Sequence, residues 1–138
     1  MRIMAIDYGD AHTGIAISDP TGFLAGFTTV INAYRPEAVA EQISALAKEH
    51  GVEELVLGHP INMDGTRGPR SEKAQAMKTL LEETTSLPVV LWDERRTTID
   101  AHQILMNSGK HAKKRKKVVD AVAATLILEG YLTYKKNH

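Results

Sequence analysis

The chain begins with a short continuous apolar run, Ile3 to Ile6, which predicts a strand buried on both faces, as in the middle of a sheet. Asp7 follows at once, Gly9 to Gly14 supplies a turn, and Ile15 to Ile17 starts a second short strand. Thr28 to Ile31 reads as a third strand and completes a meander. The period then changes. Pro36 suits the first turn of a helix that runs to about His50, with Val39, Ile43, Leu46 and Ala47 on one apolar stripe and Gly51 ending it. Glu54 to Leu57 is a short strand, and the helix before it implies a parallel, right-handed crossover.

Gly58 to Pro69 holds three Gly and two Pro in twelve residues and reads as a loop. Arg70 to Glu83 returns to helical spacing through Ala74, Met77 and Leu81. Val89 to Trp92 is another apolar strand, followed directly by Asp93-Glu94-Arg95-Arg96. Thr97 with Asp100 resembles a capping box and opens a helix that uses Ala101, Ile104 and Leu105 and closes at Gly109. A last helix is expected from about Lys116 to Tyr134, with Val119, Val122, Ala123, Leu126 and Gly130 as its inner face. The order β-β-β-α-β-α-β-α-α implies an α/β protein: a five-stranded mixed sheet, a three-strand meander then α/β crossovers, with helices packed on it. That is the ribonuclease H-like arrangement, in one domain spanning residues 1–138.

Composition narrows the classes. Apolar residues make up 43% and charged residues 25%, the balance of a globular chain rather than a disordered or membrane-embedded one. With no cysteine there is neither a disulfide nor a thiolate metal site. Neither a signal-peptide pattern nor a membrane-length apolar run is present, so a cytoplasmic protein is expected. Seventeen basic and seventeen acidic residues give a net charge of zero, but unevenly: Lys110 to Lys117 holds six cations and no acid. The rest carries eleven basic and seventeen acidic groups, a formal charge of −6, so an anionic partner is expected to be met at one place.

Four acids stand out. Ligands of open α/β sheets gather at the carboxyl ends of the parallel strands, where Asp7, Asp93 and Glu94 lie. Neighbouring residues of a strand point to opposite faces, so Asp93 and Glu94 should not both face Asp7, and without the inter-strand register parity cannot choose between them. Asp120 sits beside apolar Val118, Val119 and Val122 in the last helix, where a carboxylate needs compensating partners. A helix-surface pair with Lys116 or Lys117 would be one such compensation. The cations from Lys113 to Lys117 oppose the helix dipole where they stand, so contact with phosphate is the expected role, with Arg70, Arg95 and Arg96 adding to the surface. Thr66 to Arg70, at a helix start, is a further candidate for holding phosphate. Six histidines show no metal-ligand spacing, no nucleophile-elbow, Walker or dinucleotide fingerprint is present, and Trp92 and the four tyrosines are expected to pack rather than to stack on bases.

These segments together resemble the YqgF family, whose members are described as pre-16S rRNA nucleases and as RuvX-type, Holliday-junction-resolvase-like proteins. The resemblance is carried by Ile6-Asp7-Tyr8-Gly9 with Gly14-Ile15-Ala16 and Ser18-Asp19, and by Val56-Leu57-Gly58 with Pro60. It continues through Asn62-Met63-Asp64-Gly65-Thr66, Gly68-Pro69-Arg70, and Trp92-Asp93-Glu94-Arg95 with Thr97-Thr98. Lys116-Lys117-Val118-Val119-Asp120, with Ala123-Ala124 and Ile127-Leu128, completes it. The resemblance spans essentially the whole chain and implies a metal-dependent phosphodiesterase in which Asp7, one of Asp93 and Glu94, and Asp120 bind Mg²⁺ or Mn²⁺. Glu94, with the longer side chain, is the preferred member of its pair.

The implied activity is endonucleolytic processing of the 5′ end of precursor 16S rRNA in ribosome biogenesis. Cleavage of branched DNA in recombination or repair, and non-catalytic nucleic-acid binding on the same fold, are the alternatives. The expected partner is structured RNA, or branched DNA, met by a monomer or homodimer away from any membrane. Three departures from the pattern are visible. His12 stands in the turn where the family often has Arg, His59 replaces a usually apolar residue, and Ala123 occupies the place where related resolvases often carry a fourth acid.

Overall fold

The computed structural model describes residues 1–21, 25–60, 68–93 and 112–137, with side chains given for residues 122–136 of the last segment. Five strands form one sheet: β1 (Arg2–Asp7), β2 (His12–Ser18), β3 (Ala25–Asn32), β4 (Val52–His59) and β5 (Val89–Asp93). Their spatial order is β3-β2-β1-β4-β5. β1 pairs antiparallel with β2 and β2 with β3, while β4 lies parallel to β1 and β5 parallel to β4. The meander and the parallel additions are therefore as the sequence implied, and β1 is central. Strand alternation separates two cores. Met4, Ile6, Ile15, Ile17, Leu55 and Leu57 point to one face; Ile3, Ala5, Ala16, Val56 and Trp92 point to the other.

The first face is covered by α1 (Pro36–His50) and α2 (Pro69–Thr85). Pro36 and Pro69 stand in the first turns of these helices, where a missing N–H costs nothing. Gly51 ends α1 in the left-handed conformation, at φ +66°, which glycine adopts without a Cβ penalty. Val39, Ile43 and Ala47 of α1 and Ala74, Met77 and Leu81 of α2 are buried, as their spacing predicts. A core leucine such as Leu57, fully buried here, carries roughly 2–5 kcal/mol against truncation to alanine.

The second face is covered by one long helix, α3 (Ala112–Asn137). Its inner stripe is Ala124, Ile127, Leu128, Tyr131 and Leu132, about one residue around the helix from the stripe expected at Val119, Val122, Ala123, Leu126 and Gly130. Valine, leucine and isoleucine surround this helix, so spacing alone offers two overlapping stripes, and contact with the sheet selects between them. The carboxyl-terminal part of α3 reaches β4 and β5: Lys135 pairs with Glu54 at 3.2 Å, and Tyr131 and Tyr134 stand edge-on to Trp92. Gly130 lets the helix close on that tryptophan, because an added Cβ would lie 3.3 Å from its Cζ2.

Several boundaries move outward from the sequence reading. β2 starts at His12, inside the expected turn, because pairing with β3 extends to His12 opposite Asn32. β3 begins at Ala25 and β4 spans Val52–His59, so Gly58 and His59 are strand rather than loop. The ladder reaches Asp93 opposite His59, which adds that residue to β5. α3 begins four residues before the expected Lys116, so Lys113 to Lys117 lie within its first turns. The helix expected from Thr97 to Gly109 lies outside the described residues.

Candidate active site

The central strand delivers Asp7. It is the last residue of β1, half-buried, and opposite Gly14 of β2. On the other side Ile6 stands against Leu57, so Gly58 of β4 follows at the level of Asp7. Asp7 is thus flanked across the sheet by two glycines, which have no side chains. Alternation along β1 puts Asp7 on the face of Ile3 and Ala5, the face covered by α3. The turn after it is tight. A Cβ on Gly9 would collide with the carbonyl oxygen of His12, so only glycine allows that approach.

Register places Asp93, one of the two neighbouring acids. In β5, Val90 and Trp92 belong with the α3 face, whereas Val89 and Leu91 pack on the α1–α2 face. Asp93 therefore shares the face of Leu91, opposite to that of Asp7. Its neighbour in the ladder, His59, is on that same α1–α2 side and is buried, with Nε2 2.6 Å from Ser71 Oγ in α2. Ser71, itself fully buried, also accepts a hydrogen bond from Gln75 Nε2 at 3.2 Å. The polar residue expected to be a departure from the family thus has a structural use: it ties the end of β4 to the first turn of α2.

Among the other candidates, Arg70 is the second residue of α2 and is exposed. Position 120 and the cations from Lys113 to Lys117 belong to α3. Glu94, Arg95, Arg96 and most of the loop containing Thr66 lie outside the described residues, as do the side chains of Lys113 to Lys117 and Asp120. Among the described residues no group of three or more His, Asp or Glu could hold a metal ion. The described helices include none long and apolar enough to cross a membrane.

His12 is committed within the sheet, its Nδ1 donating to Asn32 Oδ1 at 2.6 Å. The tyrosines divide. Tyr131 is buried, and burial first, with the hydrogen bond to Glu54 second, pushes its hydroxyl above the ordinary phenol range. Burial also raises Tyr8, partly opposed by the Lys73 ammonium. Tyr34, by contrast, is 81% exposed, which the expectation of packing did not foresee. It stands with Tyr8 over a groove of about 470 Å³ between the β3–α1 connection and α2. No motif marks this groove, since its residues come from three distant segments.

A five-stranded mixed sheet in this order, with Asp7 at the carboxyl edge of its central strand, is the ribonuclease H-like fold. The RuvC chain of T. thermophilus in complex with a Holliday junction substrate shares the fold, with a TM-score of 0.66 at 14% identity over 99% of this chain and 96% of that one. The Fowlpox virus resolvase, solved with Holliday junction DNA, gives 0.53 at 11% identity over 99% and 98%. Residues 1–134 match the family described as "RuvX: Holliday junction resolvase", and the chain belongs to that family. A relative from Halothermothrix orenii named "Putative pre-16S rRNA nuclease" is 45% identical over 135 residues, 98% of this chain and 96% of its own.

Proposed function

We propose that this chain is a metal-dependent endonuclease for structured RNA, with the 5′ end of precursor 16S rRNA in ribosome biogenesis as its substrate. It is a phosphodiester-hydrolysing nuclease of the RuvX/YqgF type, in keeping with its family and its named relatives. The observation that carries the reading is Asp7, half-buried at the carboxyl end of the central strand, opposite Gly14 and level with Gly58. Carboxylate oxygens are hard donors and suit Mg²⁺ or Mn²⁺. Asp7, Glu94 and Asp120 would hold the metal. Asp93 lies on the face of Leu91, opposite to that of Asp7, which supports Glu94 over it. Asp120 belongs to α3, the helix that covers the face of Asp7.

When bound, divalent ions acidify the attacking water and stabilise charge on the leaving oxygen of an in-line displacement. The chain's own residues do the rest. The three carboxylates would hold the ions, and because position 123 is Ala rather than a fourth acid, substrate oxygens would serve as the remaining ligands. Arg70, Arg95 and Arg96, with Lys113, Lys114, Arg115, Lys116 and Lys117, draw in and hold the phosphate backbone, which makes binding salt-dependent.

The experiment is a side-by-side digestion of labelled precursor 16S rRNA and a four-way DNA junction with purified protein and Mg²⁺ or Mn²⁺. Cleavage near the 5′ end of the RNA, with the junction cut more slowly, is the expected result. Preferential cutting of the junction would instead favour the branched-DNA activity. Tight binding of both without cleavage would favour a non-catalytic role.

A further inference from the structure

We propose that the groove between Tyr8, Tyr34 and α2 holds one unstacked nucleobase of a single-stranded stretch of the substrate, beside the cleavage site. This rests on the nuclease reading above and adds a subsite to it. Tyr8 directly follows Asp7 and points to the opposite face of the sheet, where it packs against the α1–α2 core. A narrow cleft lined by Gly9, Gly58 and Arg70 shares Tyr8, Asp10 and Lys73 with the groove. The two adjoin at these three residues, so the groove lies next to the end of the sheet where Gly58 stands and beside Arg70. A phosphate at Arg70 would leave its attached nucleoside facing Tyr8 and Tyr34.

The lining selects the class of ligand. Met77, Leu80 and Pro36 give an apolar floor, and Tyr34, 81% exposed, is available to lie against a planar ring. The volume of about 470 Å³ falls within the roughly 300–1,000 Å³ of small-ligand sites. Asp10 and Glu37 bring two carboxylates against the single ammonium of Lys73, which already stands 3.2 Å from Asp10. That balance disfavours an anion in the groove and favours a neutral ring with N–H groups to donate. Cytosine, adenine and guanine carry an exocyclic amino group that carboxylates accept from; uracil does not. Splayed bases stacked on aromatic side chains are the usual way single-stranded RNA is held.

The test is a titration followed by NMR on protein labelled at methionine methyls and tyrosine rings, in EDTA. The probes are cytidine, guanosine and uridine 5′-monophosphates and ribose 5-phosphate. Expected are saturable shifts of Met77 and Tyr34 signals with the cytidine and guanosine nucleotides, weaker shifts with uridine monophosphate, and none at these residues with ribose 5-phosphate. Tyr34→Ala should weaken nucleotide binding about fivefold or more, the lower end of a base–aromatic stack. Equal response to ribose 5-phosphate, unmoved Met77 and Tyr34 signals, or unchanged affinity in Tyr34→Ala would overturn the assignment. Because the titration needs no metal and no turnover, its failure removes only this subsite. Failure of cleavage with the titration intact would remove only the nuclease reading.

Discussion

Replacing Ser71 by alanine removes a buried hydrogen bond without changing the shape of the core, so its cost can be worked out from the contacts around it. Ser71 is fully buried, His59 is 6% exposed, and their polar atoms lie 2.6 Å apart. Alanine leaves that ring nitrogen facing a methyl group, a loss of about 1–3 kcal/mol for a buried polar group. The gain in helix propensity, a few tenths of a kcal/mol, offsets little of it. A net loss of about 1–2.5 kcal/mol should lower Tm by about 3–10 °C in a domain of this size. Urea and thermal unfolding followed by far-UV circular dichroism measure it. In a His59→Leu background only the longer contact with Gln75 remains, so Ser71→Ala should then cost about 1 kcal/mol less than in the wild type. Equal costs in both backgrounds, or no cost in the wild type, would refute the idea that this pair fastens β4 to α2.

Three further outcomes are expected. The raised Tyr131 pKa means that the folded protein holds the phenol proton more tightly than the unfolded chain. The stability from this is fully present below the unfolded value near pH 10 and is lost as pH rises above it, so Tyr131→Phe should show a shallower decline of urea midpoint between pH 9 and 11. Replacing Lys113, Lys114 and Lys116 by Gln should weaken RNA binding in Ca²⁺ and reduce the log–log salt slope by roughly 0.7–0.9 per lost phosphate contact, and wild-type binding at every salt concentration would exclude that role. Glu94→Gln should impair cleavage more than Asp93→Asn, whereas the reverse order would assign the site to Asp93.

Much of this architecture is legible in the sequence because strong local signals agree with tertiary packing. Ile3 to Ile6 is apolar without interruption and is buried on both faces; Pro36 and Gly51 bracket α1 as expected. Where one signal served two outcomes, the reading drifted. Gly58 and His59 look like loop residues but complete the ladder with β5, since pairing outweighs the turn preference of glycine. The inner stripe of α3 was displaced because apolar residues surround that helix. At the site, the motif pointed to Asp7, but its flanking by Gly14 and Gly58 depends on register, which no single strand carries. The His59–Ser71 bond and the Tyr8–Tyr34 groove join residues far apart in sequence, so composition and spacing could not reveal them.

The central claim is that the carboxylate of Asp7 holds the metal needed for cleavage, and Asp7→Asn tests it most directly. The variant keeps the size of the side chain and removes its charge. It should fold as the wild type does by circular dichroism, and without metal it should be no less stable, because the proposed metal site loses one negative charge. Single-turnover cleavage of labelled precursor RNA with Mn²⁺ should fall by more than about a hundredfold, beyond the roughly 10–100-fold typical of outer-shell substitutions. Cleavage at the wild-type rate by a folded Asp7→Asn protein would contradict the account.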